Sequence, residues 1–432
     1  MKLIINKIVL FFILLDNFFV PINIGVDFRV NYLIMLLFII YYCFSQNSIL
    51  VNARKMVFFV VLFVLLVIIN FLITESYNLM FKQLILLILN VVFSYFFLHS
   101  YNFNFVRLFK DYVFLISIAA LIVLFQIVGS KLNLMFLVDY SYLGLDTGGI
   151  RLNAMRGRYH SWFYEPSFMA YAFMPVIFIA VARLFGIGNL IPKGRAIFLI
   201  IILFMAKSTL GLFGFILSIL LIVLLKYPIY KKPVFLFLLI IGLFVGSYLI
   251  YTIPAVKFRV DETYSLFSKS KVSSEEIAKT NLSTYALYSN FKIAQASLQQ
   301  RPILGTGIGT YELSYDNYLY DVIPSSNWRN NFKINRQDAN SLLFRMLVEF
   351  GITGTLFFIF IIFKKRIKYQ KWINIKQENL WVINNGILIL IILRFLRQGH
   401  YTMLGFVLMV MIYYLSHEKF NLNKDILLSK YE

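Results

Sequence analysis

Arg195-Ala-Ile-Phe-Leu-Ile200-Ile-Ile-Leu-Phe-Met205-Ala-Lys207-Ser208-Thr209-Leu-Gly211-Leu-Phe-Gly214-Phe-Ile-Leu-Ser-Ile-Leu220-Leu-Ile-Val-Leu-Leu-Lys226 is an apolar run broken once, at Lys-Ser-Thr. The part before the break, 195–206, is too short to cross a bilayer alone. At about 1.5 Å rise per residue it reaches little more than half of a hydrocarbon layer about 30 Å thick. The run therefore reads as two helices meeting inside a membrane at Lys207-Ser208-Thr209-Leu-Gly211, with one long helix as the competing reading. Similar apolar runs lie near 7–24, 28–45, 56–73, 79–98, 112–129, 166–184, 233–253, 341–363, 379–396 and 401–416. The expected fold is an all-α polytopic membrane protein with about twelve transmembrane helices by the hydropathy rule.

Composition agrees. The chain of 432 residues is 60% hydrophobic and 14% charged, more apolar surface than a soluble domain can bury. Its net charge of +21 does not point to nucleic acid, because the lysines and arginines fall mostly in short loops between apolar runs. Lys2, Lys7, Arg54, Lys55, Arg107, Lys110, Lys193, Arg195, Lys231, Lys232 and the run Lys364-Lys365-Arg366-x-Lys368 all gather on one side of such a topology. By the positive-inside rule that side, and both termini, are cytoplasmic. No cleavable signal peptide is expected, and the single cysteine, Cys43, forms no intrachain disulfide. The whole chain, 1–432, reads as one transmembrane domain. Its two long external segments are a loop at 130–165 and a larger one at 254–340 that caps the bundle between spans nine and ten. Within the latter, Ser273-x-x-Glu276 is a capping box opening a helix that carries Ile277, Leu282, Tyr285, Tyr288 and Phe291.

Charge is rare enough here that each cluster needs a reason. Arg151, Arg156, Arg158, His160 and Glu165 lie within fifteen residues, ending at Glu165-Pro166-Ser167 where a span starts. Arginine presents a planar fork of donors suited to an anionic ligand such as a diphosphate. The glutamate suits proton transfer or stabilisation of a developing positive sugar centre. The plainer reading of Glu165-Pro166 is a helix start favoured by the helix dipole. Arg394, in an apolar run, and Arg397 after it extend the diphosphate-binding set, as does Arg301 before the glycine turn Gly305-Thr-Gly307-Ile-Gly309. Asp338 or Asn340 caps the tenth span or serves chemistry. Arg345 and Glu349 stand one helical turn apart and read as a structural ion pair. His400 suits either a structural hydrogen bond or a base. The general base thus stays open between Glu165, His160 and Asp338. No histidine or carboxylate pair has metal-ligand spacing, so neither a metal nor another cofactor is expected.

In order, these elements resemble the O-antigen and exopolysaccharide polymerases (Wzy-type) of the O-antigen ligase/polymerase superfamily. The matching pieces are Glu165-Pro166-Ser167, Ser208-Thr209-x-Gly211, Pro302-Ile-Leu-Gly305-x-Gly307, and Asn340-Ser341-Leu342 leading to Glu349-x-Gly351-Ile-x-Gly354. The resemblance covers about 150–416. Relatives often carry histidine before the asparagine of the last motif; here it is Ala339, which makes a ligase-type reading less favoured. The family implies a fold similar to membrane-embedded glycosyltransferases of the GT-C kind, in a bacterial cytoplasmic membrane. It also implies transfer of an undecaprenyl-diphosphate-linked oligosaccharide onto a lipid-linked repeat unit at the outer face, with membrane lipid and a chain-length regulator as partners. An O-antigen ligase and a lipid-linked oligosaccharide flippase are the alternatives.

Overall fold

The computed structural model describes residues 2–19, 29–45, 67–226, 254–269, 272–324, 327–370 and 374–428, with scattered positions at 64 and between 234 and 252. The described residues are helical, with two isolated β-bridges and no strand. Among the described residues, six helices are long and apolar enough to cross a membrane. Two shorter apolar helices, α1 (Lys2–Leu14) and α2 (Val30–Ser45), join them. This is a multi-pass membrane protein. The spans expected near 56–73 and 233–253 fall largely outside the described residues, so the expected number of about twelve is not decided by them.

The six are α3 (Tyr77–Ser100), α4 (Phe105–Lys131), α6 (Pro166–Leu184), α8 (Thr209–Lys226), α13 (Leu342–Lys364) and α14 (Ile375–Leu396). Between α4 and α6 lies the short α5 (Ile150–Met155). Two of the six form the centre: 83% of the most apolar window of α6 and of α14 is buried, against 22–44% in the other four. Small residues let them approach. A Cβ on Gly386 of α14 would stand 2.8 Å from the Pro175 carbonyl oxygen of α6. One on Gly214 of α8 would stand 2.3 Å from the Met174 sulfur. Close backbone contact is the usual basis of helix association where lipid removes the hydrophobic drive.

The expected break in the 195–226 run is present. Here α7 (Lys193–Met205) ends and α8 begins, with Lys207 between them in the left-handed region at φ 45°. The expected helix from Ser273 is also opened by its capping box, with Glu276 N–H donating to Ser273 Oγ at 3.2 Å. It is split, however, into α10 (Ser274–Lys279) and α11 (Leu282–Gln300), because Thr280 and Asn281 adopt extended backbone and Asn281 caps the second helix. With α9 (Pro254–Ser268) and α12 (Tyr311–Val322), these helices build a second core around Leu266, Ile277, Tyr285, Tyr311 and Tyr315. That core closes on Val348 and Phe344 of α13.

Helix α13 is itself broken. Gly351 stands at φ 62°, ψ −167°, and the turn 302–307 fills the gap. Thr306 N–H donates to Val348 O at 2.9 Å and Gly307 N–H to Glu349 O at 3.0 Å. In return Ile352 N–H donates to Pro302 O at 2.9 Å. The turn thus satisfies backbone groups that an intact helix would pair internally, which a span in lipid requires. A Cβ on Gly305 would lie 2.4 Å from Val348 O, and one on Gly351 2.3 Å from Ile303 O.

At one end of the bundle, lysines tie helix ends together: Lys7 to Asp111 (3.4 Å), Lys226 to Phe185 O (2.5 Å) and Lys365 to Glu418 (2.5 Å). The last residue of that set lies on α15 (Phe406–Leu428). The opposite end carries the starts of α6 and α13, the end of α14, and the site described below.

Gly305→Ala should cost about 3 kcal/mol or more, because a positive φ and a backbone collision coincide. Gly194→Ala, where an added Cβ meets nothing within 4 Å, should stay within about 0.5 kcal/mol of wild type. Thermal unfolding of the detergent-solubilised protein compares the two; equal midpoints would contradict the clasp.

Candidate functional site at the ends of α6, α13 and α14

After α14 the chain makes a loop, 397–405, whose carbonyl groups are held one by one. Tyr171 of α6 donates to Arg397 O at 2.5 Å. Arg345 of α13 donates to Gly399 O at 3.2 Å. Arg394 of α14 donates to His400 O at 3.2 Å and to Met403 O at 2.8 Å. Its guanidinium lies over the Tyr171 and Phe406 rings, 5.1 and 5.0 Å from their centres. Arg345 completes a buried network: Nε to Glu349 Oε1 at 2.8 Å, Nη2 to Gln83 of α3 at 3.0 Å, and its plane 4.3 Å from the Tyr401 ring. Tyr401 donates to the other Glu349 oxygen at 2.7 Å. The expected ion pair is therefore real, and it anchors a loop.

A second turn, 335–341, leads into α13 with Asn335, Ala339 and Asn340 all at positive φ. Gln398 N–H donates to Asn340 O at 2.8 Å, and Ser341 Oγ to Phe395 O at 2.5 Å. The two turns press together at Gly399, where a Cβ would fall 1.7 Å from Asp338 O. This contact brings His400 Nε2 to 3.7 Å from Asp338 Oδ2. Asp338 also accepts from Asn335 Nδ2 at 2.8 Å and from Asn340 N–H at 3.4 Å. Burial pushes the Asp338 carboxyl up from its ordinary value, against the Asn335 hydrogen bond and Arg345. Burial likewise pushes the His400 imidazole well down, helped by Arg29, Arg345 and Arg394.

Glu165 caps α6 in extended conformation and is exposed; its Oε1 accepts from Ser167 Oγ at 2.7 Å. It lies within electrostatic reach of Asp338 and of Tyr171. Arg397 acts on the same tyrosine; its side chain is half-buried and has no ion-pair partner among the described residues. From the segment after α1, Arg29 pairs with buried Asp16 at 2.9 Å and reaches His400 electrostatically. Glu165, Asp338, Arg394, Arg397 and His400 thus converge from three separate stretches of chain.

The remaining candidates stand elsewhere. Arg151 is paired with Asp139 at 2.6 Å. Arg156 is exposed, and its carbonyl accepts from Lys207 at 3.4 Å. Arg158 is half-buried and acts electrostatically on His160. His160 is fully buried, with Nδ1 2.7 Å from Phe163 O and Nε2 3.4 Å from the Asn153 amide. Its loop is pinned by Gln126 of α4, which bonds both Ser161 O (2.9 Å) and Ser161 N–H (2.8 Å). Arg301 pairs with Glu75 at 3.2 Å and donates to Ile73 O at 3.1 Å, beside a groove formed by 72–75 and 301–305. Among the described residues no group of three or more His, Cys, Asp or Glu has metal-binding geometry.

Asp16, Arg29, Tyr171, Gln126 and Gln398 escaped the sequence reading as site-builders. A polar residue inside an apolar run was the available signal for Gln126; nothing in the sequence marks Tyr171.

Residues 195–359 match the family model described as O-Antigen ligase. That stretch holds the α7–α8 break, the 302–307 turn, Asp338, Arg345 and Glu349. The match supports the O-antigen ligase/polymerase superfamily and does not distinguish polymerase from ligase. No curated protein matches the chain.

Burial holds His160 down to about 4 from an ordinary 6.5. The unfolded chain takes up a proton there that the folded protein refuses. Its contribution to stability is complete above pH 6.5 and falls as pH drops toward 4. The loss is up to about 3 kcal/mol. Thermal unfolding at pH 7 and pH 4.5 should show it, and His160→Asn should flatten the difference; an unchanged difference would mean other groups carry it.

Proposed function

We propose that this chain, whose residues 195–359 match the family model described as O-Antigen ligase, is a polysaccharide polymerase of the O-antigen ligase/polymerase superfamily. It transfers a glycan from undecaprenyl diphosphate to the sugar end of a lipid-linked repeat unit, at the outer face of a bacterial cytoplasmic membrane. The observation that carries this reading is the convergence of Glu165, Asp338 and His400 with Arg397 at one end of an apolar bundle.

The chemistry follows from those groups. An acceptor hydroxyl oxygen attacks the anomeric carbon, and the bond from that carbon to the diphosphate oxygen breaks. The diphosphate leaves with the electron pair, and arginine stabilises its charge in a site screened from water. Arg397 suits that role, because among the described residues it has no ion-pair partner and it lies in the loop that carries His400. Arg394 acts by shaping the 397–405 loop, since its donors already hold two carbonyl groups. Arg151 and Arg301 would have to leave Asp139 and Glu75 to join, which sets them outside the proposed site. Exposed Glu165, within electrostatic reach of Asp338, is suited to stabilising a positive sugar centre or accepting a proton.

A ligase is the second reading, favoured by the description of the matched family. Ala339, where ligase-type relatives carry histidine, weighs toward polymerase. Cells lacking the protein separate the two when their surface glycans are sized on a gel. Loss of the long ladder with single repeat units still attached to their surface acceptor is the expected result. Long polymer retained on the carrier lipid, with nothing attached to the surface, would mean ligase.

Glu165→Gln should slow turnover by about 10²-fold while leaving donor binding intact. Single-turnover rates at saturating donor measure this; an unchanged rate would leave Glu165 as a helix cap only.

A further inference from the structure

We propose that His400 accepts the proton of the attacking hydroxyl, with Asp338 as the residue that positions its ring. This rests on the transfer reaction above and assigns the base within it. His400 is placed by three independent constraints. Gly399 abuts the Asp338 carbonyl so closely that no side chain fits there. The carbonyl groups on both sides of the His400 nitrogen and α-carbon are held by Arg345 and Arg394, each at 3.2 Å. The Gln398 N–H ties the loop to Asn340 O at 2.8 Å. Precise placement of a functional side chain by its supporting contacts is what such a network provides.

The ring then faces Asp338 through Nε2 at 3.7 Å, within the range of the long hydrogen bonds that catalytic pairs show before substrate binds. A carboxylate on Nε2–H fixes the tautomer and leaves the Nδ1 lone pair as acceptor. The His400 side chain is 27% exposed and that of Asp338 8%, so the imidazole is the group that substrate reaches. His160, by contrast, is fully buried with both ring nitrogens against protein atoms. In the reaction the hydroxyl proton passes to Nδ1 as its oxygen bonds to the anomeric carbon. The imidazolium so formed is stabilised by Asp338 and releases its proton to water after the products leave. The charged groups facing the ring are Asp338 and Arg29, Arg345 and Arg394, with Glu165 beyond Asp338. The arginines favour neutral imidazole in the protein alone; a bound diphosphate balances them and raises its proton affinity.

The test uses the full-length protein in lipid nanodiscs, with lipid-linked oligosaccharide extracted from cells that lack it as donor and acceptor. His400→Ala should lower kcat by about 10²-fold or more with little change in KM for the donor. Added imidazole should restore part of that rate, and should do nothing for Glu165→Gln. Asp338→Asn should also lower kcat. A wild-type rate in His400→Ala would overturn the assignment and leave the polymerase reading standing. So would loss of activity in that variant with no imidazole rescue, alongside a wild-type rate in Asp338→Asn. Wild-type protein that moves glycan only to a different acceptor would contradict the polymerase reading; the same rescue, measured on that transfer, then decides the histidine separately.

Discussion

Arg345 and Glu349 bury opposite charges within a bundle of aliphatic and aromatic side chains, and each is satisfied only because of the other's neighbours. Arg345 donates to Glu349, Gly399 O and Gln83, while Glu349 also accepts from Tyr401. Taking two charges out of water costs several kcal/mol per ion, and the pair recovers this only when nearly every donor and acceptor is engaged. Removing one partner of such a pair costs about 3–5 kcal/mol. That requirement fixes α3, α13 and the loop after α14 relative to one another. It also explains why the loop is irregular without being loose: its carbonyl groups are the acceptors that the buried arginines need.

The broken helix α13 belongs to the same arrangement. Glu349 stands just before Gly351, and its own carbonyl accepts from Gly307 at 3.0 Å. The turn from the second core therefore grips α13 at the residue that carries the buried carboxylate. Packing of the 254–340 helices and geometry of the charged site are in this way one mechanical unit. A displacement of the second core would be felt at Arg345, and through it at Gly399 and His400.

Much of this was legible in the sequence. Hydropathy gave the membrane class, the Lys207 break and the starts of α6 and α13, because each is a local property of composition and spacing. The capping box at Ser273 and the Arg345–Glu349 pair were equally local. The candidate site was legible only in part. Glu165, Asp338 and Arg397 were singled out, but Arg151 was grouped with them by proximity along the chain, whereas in space it pairs with Asp139. His160 looked like a base beside arginines, and its burial against Phe163 O depends on Gln126, over thirty residues earlier. The pairing of His400 with Asp338 depends on Gly399 meeting a turn about sixty residues before it, which no local pattern encodes. The imidazole that meets the turn before α13 comes from beyond the end of α14.

The most direct measurement is an electron cryo-microscopy structure of the protein in a lipid nanodisc with undecaprenyl diphosphate bound. Diphosphate density is expected against Arg397, between Glu165 and His400, with the 397–403 carbonyl groups still held by Tyr171, Arg345 and Arg394. Diphosphate bound instead in the groove beside Arg301 and Glu75, or a 397–403 loop detached from the two buried arginines, would contradict it.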